Sequence, residues 1–211
     1  MTRKGQDLLE NAYRLETPAD NVNYYRAFSE TYDEAFAGAL GFALPRHVAE
    51  RFRELWTDNG LIADVGCGTG LLGEELRDQS LTIHGLDISS EMLTVAERRG
   101  VYSELHVLDL AADVGELRHR YRAVVSSGTF THGHLGTDAF LNTIELGSAN
   151  CLFVLSINRN HYKALGFQDA LQKLDTADKI QALELREVDI YDKGNHAHSG
   201  DRALIVSFRL T

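Results

Sequence analysis

The sequence predicts an α/β fold in which a mostly parallel sheet is covered by helices on both faces. From residue 61 onward, short apolar runs alternate with segments of helical periodicity, which is the pattern of βαβ units. The first of those runs, 61–65, is followed at once by a turn that contains three glycines. The first 57 residues have helical character. We therefore predict one compact domain, with an N-terminal helical cap or lid over 1–57 and the α/β core over 58–211.

Helical periodicity defines the N-terminal segment. The stretch 17–20, Thr-Pro-Ala-Asp, ends one amphipathic helix and starts another. Aromatic residues then recur every three or four positions on one helical face: Tyr24, Tyr25, Phe28, Tyr32 and Phe36. A further helix begins at Leu44 and Pro45 and ends at 58–60. Its predicted apolar stripe consists of Val48, Phe52, Leu55 and Trp56.

Seven strands follow, separated in most cases by helices. The predicted strands are 61–65, 81–87, 104–110, 122–127, 151–157, a run near 180–190, and 203–210. The predicted helices between them are 71–79, 90–99, a short one after 110, 137–147, and one around 167–178. Only a loop joins the last two strands, so they form an antiparallel pair at one side of the sheet.

Composition narrows the classes of function. The net charge is −10, from 21 basic and 31 acidic side chains, and no basic stripe with interleaved aromatic residues is present, so nucleic acid is not an expected partner. No apolar run is long enough to span a bilayer, and the N-terminus lacks the apolar segment of a secretion signal, so no membrane association is expected. Cys67 and Cys151 lie in apolar runs, which favours reduced thiols in the cytoplasm.

The turn after the first strand is the main functional signal. Gly66, Gly68 and Gly70 follow the strand end at Val65, and a helix begins directly afterwards. Glycine permits a sharp turn and lets the backbone lie against a ligand, and the free N–H groups at a helix start suit a polar or charged group. No Lys-Ser/Thr pair follows, so this is not a P-loop. The alternative is a tight turn that binds nothing.

Two aspartates end the next two strands. Asp87 stands where an acid of a nucleotide-binding βαβ unit accepts hydrogen bonds from ribose hydroxyls; the alternative is that it caps the following helix. Asp109 ends the third strand, where a carboxylate can accept from the exocyclic amine of adenine; the alternative is an ordinary loop aspartate. The two strand ends therefore predict an adenosine site.

These motifs resemble a known family. DVGCGTG, GLDIS with EML, and VLDL resemble the first three motifs of the S-adenosylmethionine (SAM)-dependent methyltransferases with a Rossmann-like fold. More closely, SETYDEAF, DVGCGTGLLGEEL, HGLDISSEMLTVAERRGVY and VSSGTFTHGHLG resemble the methyltransferase-like family named after the Williams–Beuren syndrome chromosomal region, and its bacterial relatives. The resemblance spans about residues 20–150.

The resemblance implies a three-layer fold with the strand order 3-2-1-4-5-7-6 and SAM as cofactor. The implied contacts to SAM are Asp64, Gly66, Cys67, Gly68, Gly70, Asp87, Ile88, Met92, Asp109 and Leu110. To these we add Ser126, at the end of the fourth strand, and Tyr24 and Tyr32, on a helix that resembles the family's lid segment, although tyrosines at helical spacing also suit a core. Many members have a Pro-Gly turn before the fifth strand, whereas 147–150 would supply that turn here.

The acceptor is expected to be a small molecule, bound beyond the carboxyl ends of the strands. A nitrogen or oxygen acceptor would need a base, and His132 and His134 are the candidates, followed by His161, His196 and His198. The alternative is that these histidines only pack loops. The pairs 132/134 and 196/198 could suggest a metal, but nearby glycines indicate irregular loops and no Cys or Glu completes a ligand set, so no metal is expected.

Two other functions remain open. An NAD-dependent oxidoreductase would carry GxGxxG, whereas this chain has GxGxG preceded by Asp64, an acid that could meet the ammonium group of SAM. A non-catalytic SAM-binding or regulatory protein would carry the same cofactor motifs. A methyltransferase that acts as a monomer or a homodimer is the function that the motifs favour.

Overall fold

A computed structural model describes residues 41–78, 80–131, 135–192 and 198–211. The strands are β1 (Leu61–Val65), β2 (Thr82–Asp87), β3 (Glu104–Val107), β4 (Tyr121–Phe130), β5 (Gly147–Asn158), β6 (Ile180–Asp189) and β7 (Arg202–Leu210). The α-helices are α1 (Leu44–Leu55), α2 (Leu71–Glu75), α3 (Ser90–Glu97), α4 (Thr137–Ile144), α5 (Arg159–Ala164) and α6 (Phe167–Thr176), and a 3-10 turn spans Gly115–Leu117.

The strands form one sheet in the order β3-β2-β1-β4-β5-β7-β6. The pairs β1/β2, β1/β4, β2/β3 and β4/β5 are parallel, whereas β7 runs antiparallel to both β5 and β6. The predicted Rossmann-like fold and strand order are thus confirmed. The order reverses direction at β1, so the loops after β1 and β4 diverge and open a crevice at the carboxyl edge of the sheet.

Helices cover both faces of this sheet. On one face α1 buries Val48, Ala49 and Phe52 against the inner strands. Arg51 of the same helix is buried as well, where it donates to Ser207 Oγ and pairs with Glu184 of β6. The part of the predicted cap that the structure describes, 41–57, therefore packs onto the sheet as one of its covering layers. The division of the chain at 57 stays a prediction.

The opposite face carries the larger apolar core, which is rich in aromatic residues. Phe153 of β5 stacks on Phe208 of β7 with ring centroids 4.8 Å apart. Phe140 of α4 and Phe167 of α6 pack edge to face against each other and against Phe130 at the end of β4. These contacts pack α4 and α6 against each other and against the end of β4, and they join β5 to β7.

The structure differs from the predicted elements at several ends. β4 runs to Phe130 and β3 ends at Val107, so the predicted strand limits at 127 and 110 were wrong. The stretch 147–150 is not a turn. It belongs to β5 and contains a bulge, with Asn150 at φ 61°, because five residues of β5 span the length of two in β4. The segment 159–164, for which no helix or strand was predicted, is helical, because Asn158 Oδ1 accepts from Asn160 N and caps α5.

Some predicted residues lie outside the described parts of the chain: Tyr24, Tyr32, His132, His134 and His196. Within the described residues, no helix is long and apolar enough to cross a membrane.

Candidate cofactor site

The turn after β1 is anchored to β2 through its backbone. Gly66 N and Cys67 N both donate to Leu86 O, at 2.8 and 3.1 Å. Gly66 has φ +65°, and a Cβ there would lie 2.2 Å from Thr129 Oγ1, so only glycine fits. Gly68 has φ +53°, but a Cβ there would meet no atom within 4 Å. The backbone at Gly68 therefore faces open space, into which a ligand can approach closely.

Asp87 lies at the floor of the cleft beside this turn. Its Oδ2 accepts from Gly68 N at 2.8 Å, and its Oδ1 accepts from Ser89 N at 2.9 Å. Burial raises the pKa of Asp87 and these backbone donors lower it, with burial dominating. The cap of α3 is Ser89, whose hydroxyl accepts from Met92 N at 3.2 Å. Asp87 is therefore not the helix cap, and its carboxylate lies among the backbone N–H groups of the cleft.

Asp109 is exposed at the far side of the cleft, two residues beyond the end of β3. Its Oδ1 accepts from Ala111 N at 2.8 Å, which is an ordinary turn interaction of a loop aspartate. Leu108 and Leu110 flank it and also line the cleft. Asp109 thus combines the turn interaction of a loop aspartate with a place among the residues that line the cleft.

The end of β4 forms the opposite wall. Ser126 Oγ donates to Val65 O at 2.7 Å and lies 2.9 Å from Thr129 Oγ1. Gly128 N donates to Ser156 Oγ at 2.8 Å, which links the end of β4 to β5 where the register of the pair shifts. The buried Ser126 therefore supports the glycine turn from behind, while 127–129 face the cleft.

Asp64 is buried behind the glycine turn. Its Oδ2 accepts from the Tyr102 hydroxyl at 2.7 Å, and its Oδ1 has no hydrogen-bond partner among the described residues. Burial raises the pKa of Asp64 to about 7; the Tyr102 hydroxyl lowers it, and the nearby charge of Asp87 raises it further. Gly70, with φ +89°, lies on the same side, and a Cβ there would press on Arg99 and Tyr102.

The cleft thus brings together most of the predicted contacts. The predicted residues that line it are Gly66, Cys67, Gly68, Asp87, Ile88, Met92, Asp109 and Leu110. Asp64, Gly70 and Ser126 do not line it; they lie one layer behind. His161, on α5, and His198, whose Nδ1 lies 3.2 Å from Asp201 Oδ2, do not line it either. The roles of all these residues stay predictions.

Sequence reasoning missed several lining residues. The most informative are Phe42, Pro45, Thr129 and Leu135. Phe42 reaches the cleft because Ala43 N donates to Ile190 O at 2.9 Å and Asp192 N donates to Gly41 O at 2.8 Å. That pairing joins residues about 150 positions apart, and no local motif signals it. Thr129 could have been found, since it lies within the quoted motif VSSGTFTHGHLG.

Comparison with known proteins gives an independent view of the chain. Residues 62–145 match the family model of a methyltransferase domain. Methyltransferase-like protein 27 of Homo sapiens is 26% identical over 185 residues, which cover 84% of this chain and 75% of that protein. An 18S rRNA (guanine-N(7))-methyltransferase of Arabidopsis thaliana is 38% identical over 73 residues, which cover 35% of this chain and 22% of that protein.

A solved structure shows the same fold. The 1,6-didemethyltoxoflavin-N1-methyltransferase of Burkholderia thailandensis, solved with 1,6-didemethyltoxoflavin and S-adenosylhomocysteine bound, superimposes with a TM-score of 0.64. It is 14% identical, and the match covers 100% of this chain and 92% of that chain.

The residues of the cleft fit SAM. Asp87 offers carboxylate oxygens, Ile88, Met92 and Leu110 offer an apolar surface of the kind that suits a purine ring, and Gly68 leaves its backbone open to close approach. Asp64 Oδ1, which accepts no hydrogen bond from the described residues, is a buried acceptor behind the glycine turn that a water molecule bound to an ammonium group could satisfy. The methyltransferase domain matched over 62–145, together with the fold and this fit, indicates a SAM-dependent methyltransferase with S-adenosylmethionine as its cofactor.

Proposed function

We propose that this enzyme methylates a small molecule and that the described cleft holds the cofactor beside it. When bound, SAM supplies an electrophilic methyl group on a sulfonium centre. Asp87 would accept from the ribose hydroxyls, Asp109 from the adenine amine, and the backbone at Gly68 would lie against the cofactor's amino-acid part. Ser126 and Gly70 would keep the turn in shape, and Asp64 would favour the nearby ammonium group.

The observation that carries the small-molecule proposal is the wall above the cleft. Phe42 sits over Gly128, where a Cβ would lie 3.1 Å from Phe42 Cζ, and Pro45 and Leu135 line the same region. These apolar groups can align a compact acceptor and exclude water, which are the main requirements of an in-line displacement. The net charge of −10 also disfavours a phosphate backbone as substrate.

Tyr24 and Tyr32, which lie outside the described residues, would contact the methionine part of the cofactor. His132 and His134, also outside them, are proposed as the base for an acceptor that must lose a proton. The expected effect of His132→Ala or His134→Ala is a lower kcat with an unchanged Kd for SAM, because a base acts on the acceptor. A variant that loses SAM binding instead would contradict the role in proton removal.

Calorimetric titration with S-adenosylhomocysteine tests the cofactor site. Asp87→Asn should weaken binding by about 1.5–3 kcal/mol, because an amide nitrogen cannot replace the carboxylate as acceptor. Asp113→Asn is the matched control: Asp113 Oδ1 also accepts a backbone N–H, that of Gly115 at 2.6 Å, but Asp113 does not line the cleft. Equal binding by the parent and by Asp87→Asn would overturn the assignment of the cleft.

The acceptor class needs a separate experiment. The enzyme is incubated with SAM and, in parallel, with a pool of small metabolites or with total RNA, and formation of S-adenosylhomocysteine is measured. Turnover with the metabolite pool alone supports the proposal. Turnover with RNA alone would show that the acceptor is RNA and would overturn the small-molecule proposal. Cofactor binding without any turnover would favour a regulatory SAM-binding protein.

A further inference from the structure

A second group of chemically reactive side chains lies on β2 and β3, outside the lining of the cofactor cleft. His84 of β2 pairs in register with Glu104 of β3, and Leu86 pairs with His106. Side chains two positions apart on a strand share a face, so pairing of the strands places His84, Glu104 and His106 on one face of the sheet. Only this register brings the three together, since His84 and Glu104 lie 20 positions apart in the chain.

The distances suit a metal ion. Glu104 Oε2 lies 3.0 Å from His106 Nε2 and 3.7 Å from His84 Nε2, and the three ligand atoms all lie within 4.8 Å of one another. Two ligands of a tetrahedral Zn²⁺ ion, each bound at the usual length, are separated by about 3.4 Å. The two observed separations lie on either side of that value, so small rotations of the side chains would bring the three atoms to the spacing of metal ligands.

Both imidazole rings are poised as ligands. Tyr121 Oη lies 3.2 Å from His84 Nδ1, and this bond fixes the ring with Nε2 towards Glu104. His106 Nε2 is shielded from solvent and has no hydrogen-bond partner among the described residues, although Glu104 is close.

One positive charge, which would oppose the binding of a metal cation, lies at the edge of the group. Arg120 Nη2 stands 3.6 Å from Glu104 Oε2, and its side chain is exposed, so it can move into solvent. If the group were only an ion-pair cluster, Glu104 would be balanced by Arg120 and a protonated histidine. The close approach of His106 to Glu104 without hydrogen-bond geometry is not what such a pair would adopt.

We propose that His84, Glu104 and His106 bind one divalent transition-metal ion of the Zn²⁺ type and thereby clamp β3 to β2. Two imidazoles and one carboxylate supply three ligands, and a water molecule completes the tetrahedron on the side where Glu104 is exposed. The site is separate from the reaction: none of its ligands lines the cofactor cleft. The metal is structural, and methyl transfer does not depend on it.

The test titrates the metal-free full chain with Zn²⁺ in competition with a chromophoric chelator. His106→Ala and Glu104→Gln should each lose one equivalent of bound Zn²⁺ relative to the parent. His47→Ala is the matched control and should keep the full stoichiometry, because His47 also faces a glutamate, Glu50 at 3.7 Å, but belongs to no three-ligand group among the described residues. Unchanged stoichiometry in both cluster variants would overturn the proposal.

Two further measurements distinguish the loss of a metal ligand from a folding defect in the cluster variants. Arg120→Gln removes the neighbouring positive charge and should tighten Zn²⁺ binding, whereas weaker binding would show that the group is an ion-pair cluster and would overturn the proposal. Added Zn²⁺ should raise the Tm of the parent and of His47→Ala but not that of Glu104→Gln, because a ligand stabilises the state that binds it. An equal rise in all three proteins would also overturn it.

Discussion

The two halves of the sheet use their strands differently. β1, β2 and β3 have 5, 6 and 4 residues and end at the cleft, whereas β4 to β7 have 9 to 12 residues. The short strands lead into turns whose glycines and aspartates line the cleft. The long strands bury stacked aromatic rings, and among them only the end of β4 also lines the described cleft. The cleft is thus lined mainly by turns and loops at the strand ends, whereas the largest buried rings lie within the strands and the helices that cover them.

Truncation of a core ring should have the largest effect, and this effect should fall on stability without changing the affinity for the cofactor product. Phe153 is fully buried, so Phe153→Ala is expected to lower the free energy of unfolding by about 3–5 kcal/mol, through lost transfer energy and the cavity left behind. The Kd of the folded fraction for S-adenosylhomocysteine should stay unchanged. Urea unfolding and calorimetry check both values, and Phe153→Leu serves if the alanine variant does not fold. A loss of affinity in the folded leucine variant would contradict this separation.

The buried carboxyl of Asp64 should make stability depend on pH. Because its folded pKa is about 7 and its ordinary value is 3.8, the folded state holds a proton that the unfolded chain has lost between these values. Its contribution to stability is therefore lost as pH rises from about 4 to about 7. The difference in free energy of unfolding between Asp64→Asn and the parent should therefore shift in favour of the variant by on the order of 2–4 kcal/mol between pH 4 and pH 8. Denaturant unfolding across that range measures the gain, and parallel curves for both proteins would refute it.

Two glycines offer a sharper comparison at similar backbone angles. Gly68 and Gly100 have φ +53° and +63°, and a Cβ at either meets no atom within 4 Å. Alanine at either position should therefore destabilise the fold by a similar amount, about 1–2 kcal/mol. Only Gly68→Ala should weaken binding of S-adenosylhomocysteine, because only Gly68 lines the cleft. Equal affinities of the two variants in calorimetry would show that the ligand does not approach Gly68.

The smallest expected effect concerns the start of α3. Ser89 accepts from Met92 N, so Ser89→Ala should lower the free energy of unfolding by about 1 kcal/mol. The neighbouring Ser90 is exposed and contacts Glu91, so Ser90→Ala should change stability by less than about 0.5 kcal/mol. Thermal unfolding of both variants checks the pair. A larger loss of stability in Ser90→Ala than in Ser89→Ala would show that Ser89 is not the residue that caps α3.

Much of the fold was determined by the sequence itself, because its signals are local. Alternating apolar runs and helical periodicity predicted all seven strands, and the glycines at 66, 68 and 70 marked the turn at the cleft. Local propensity did not predict α5 or the bulge near Asn150, since a single side-chain cap and the register between β4 and β5 decide them.

Only the tertiary structure decided which side chains meet. It placed Asp64 behind the glycine turn, brought Phe42 over Gly128, and set His84 beside Glu104. Each of these contacts joins residues distant in the chain, through strand register or through pairing of a terminal segment. Periodicity shows which face of an element is apolar. The position of that element against its neighbours depends on packing and hydrogen bonds summed over the whole sheet, and no short stretch of sequence contains that information.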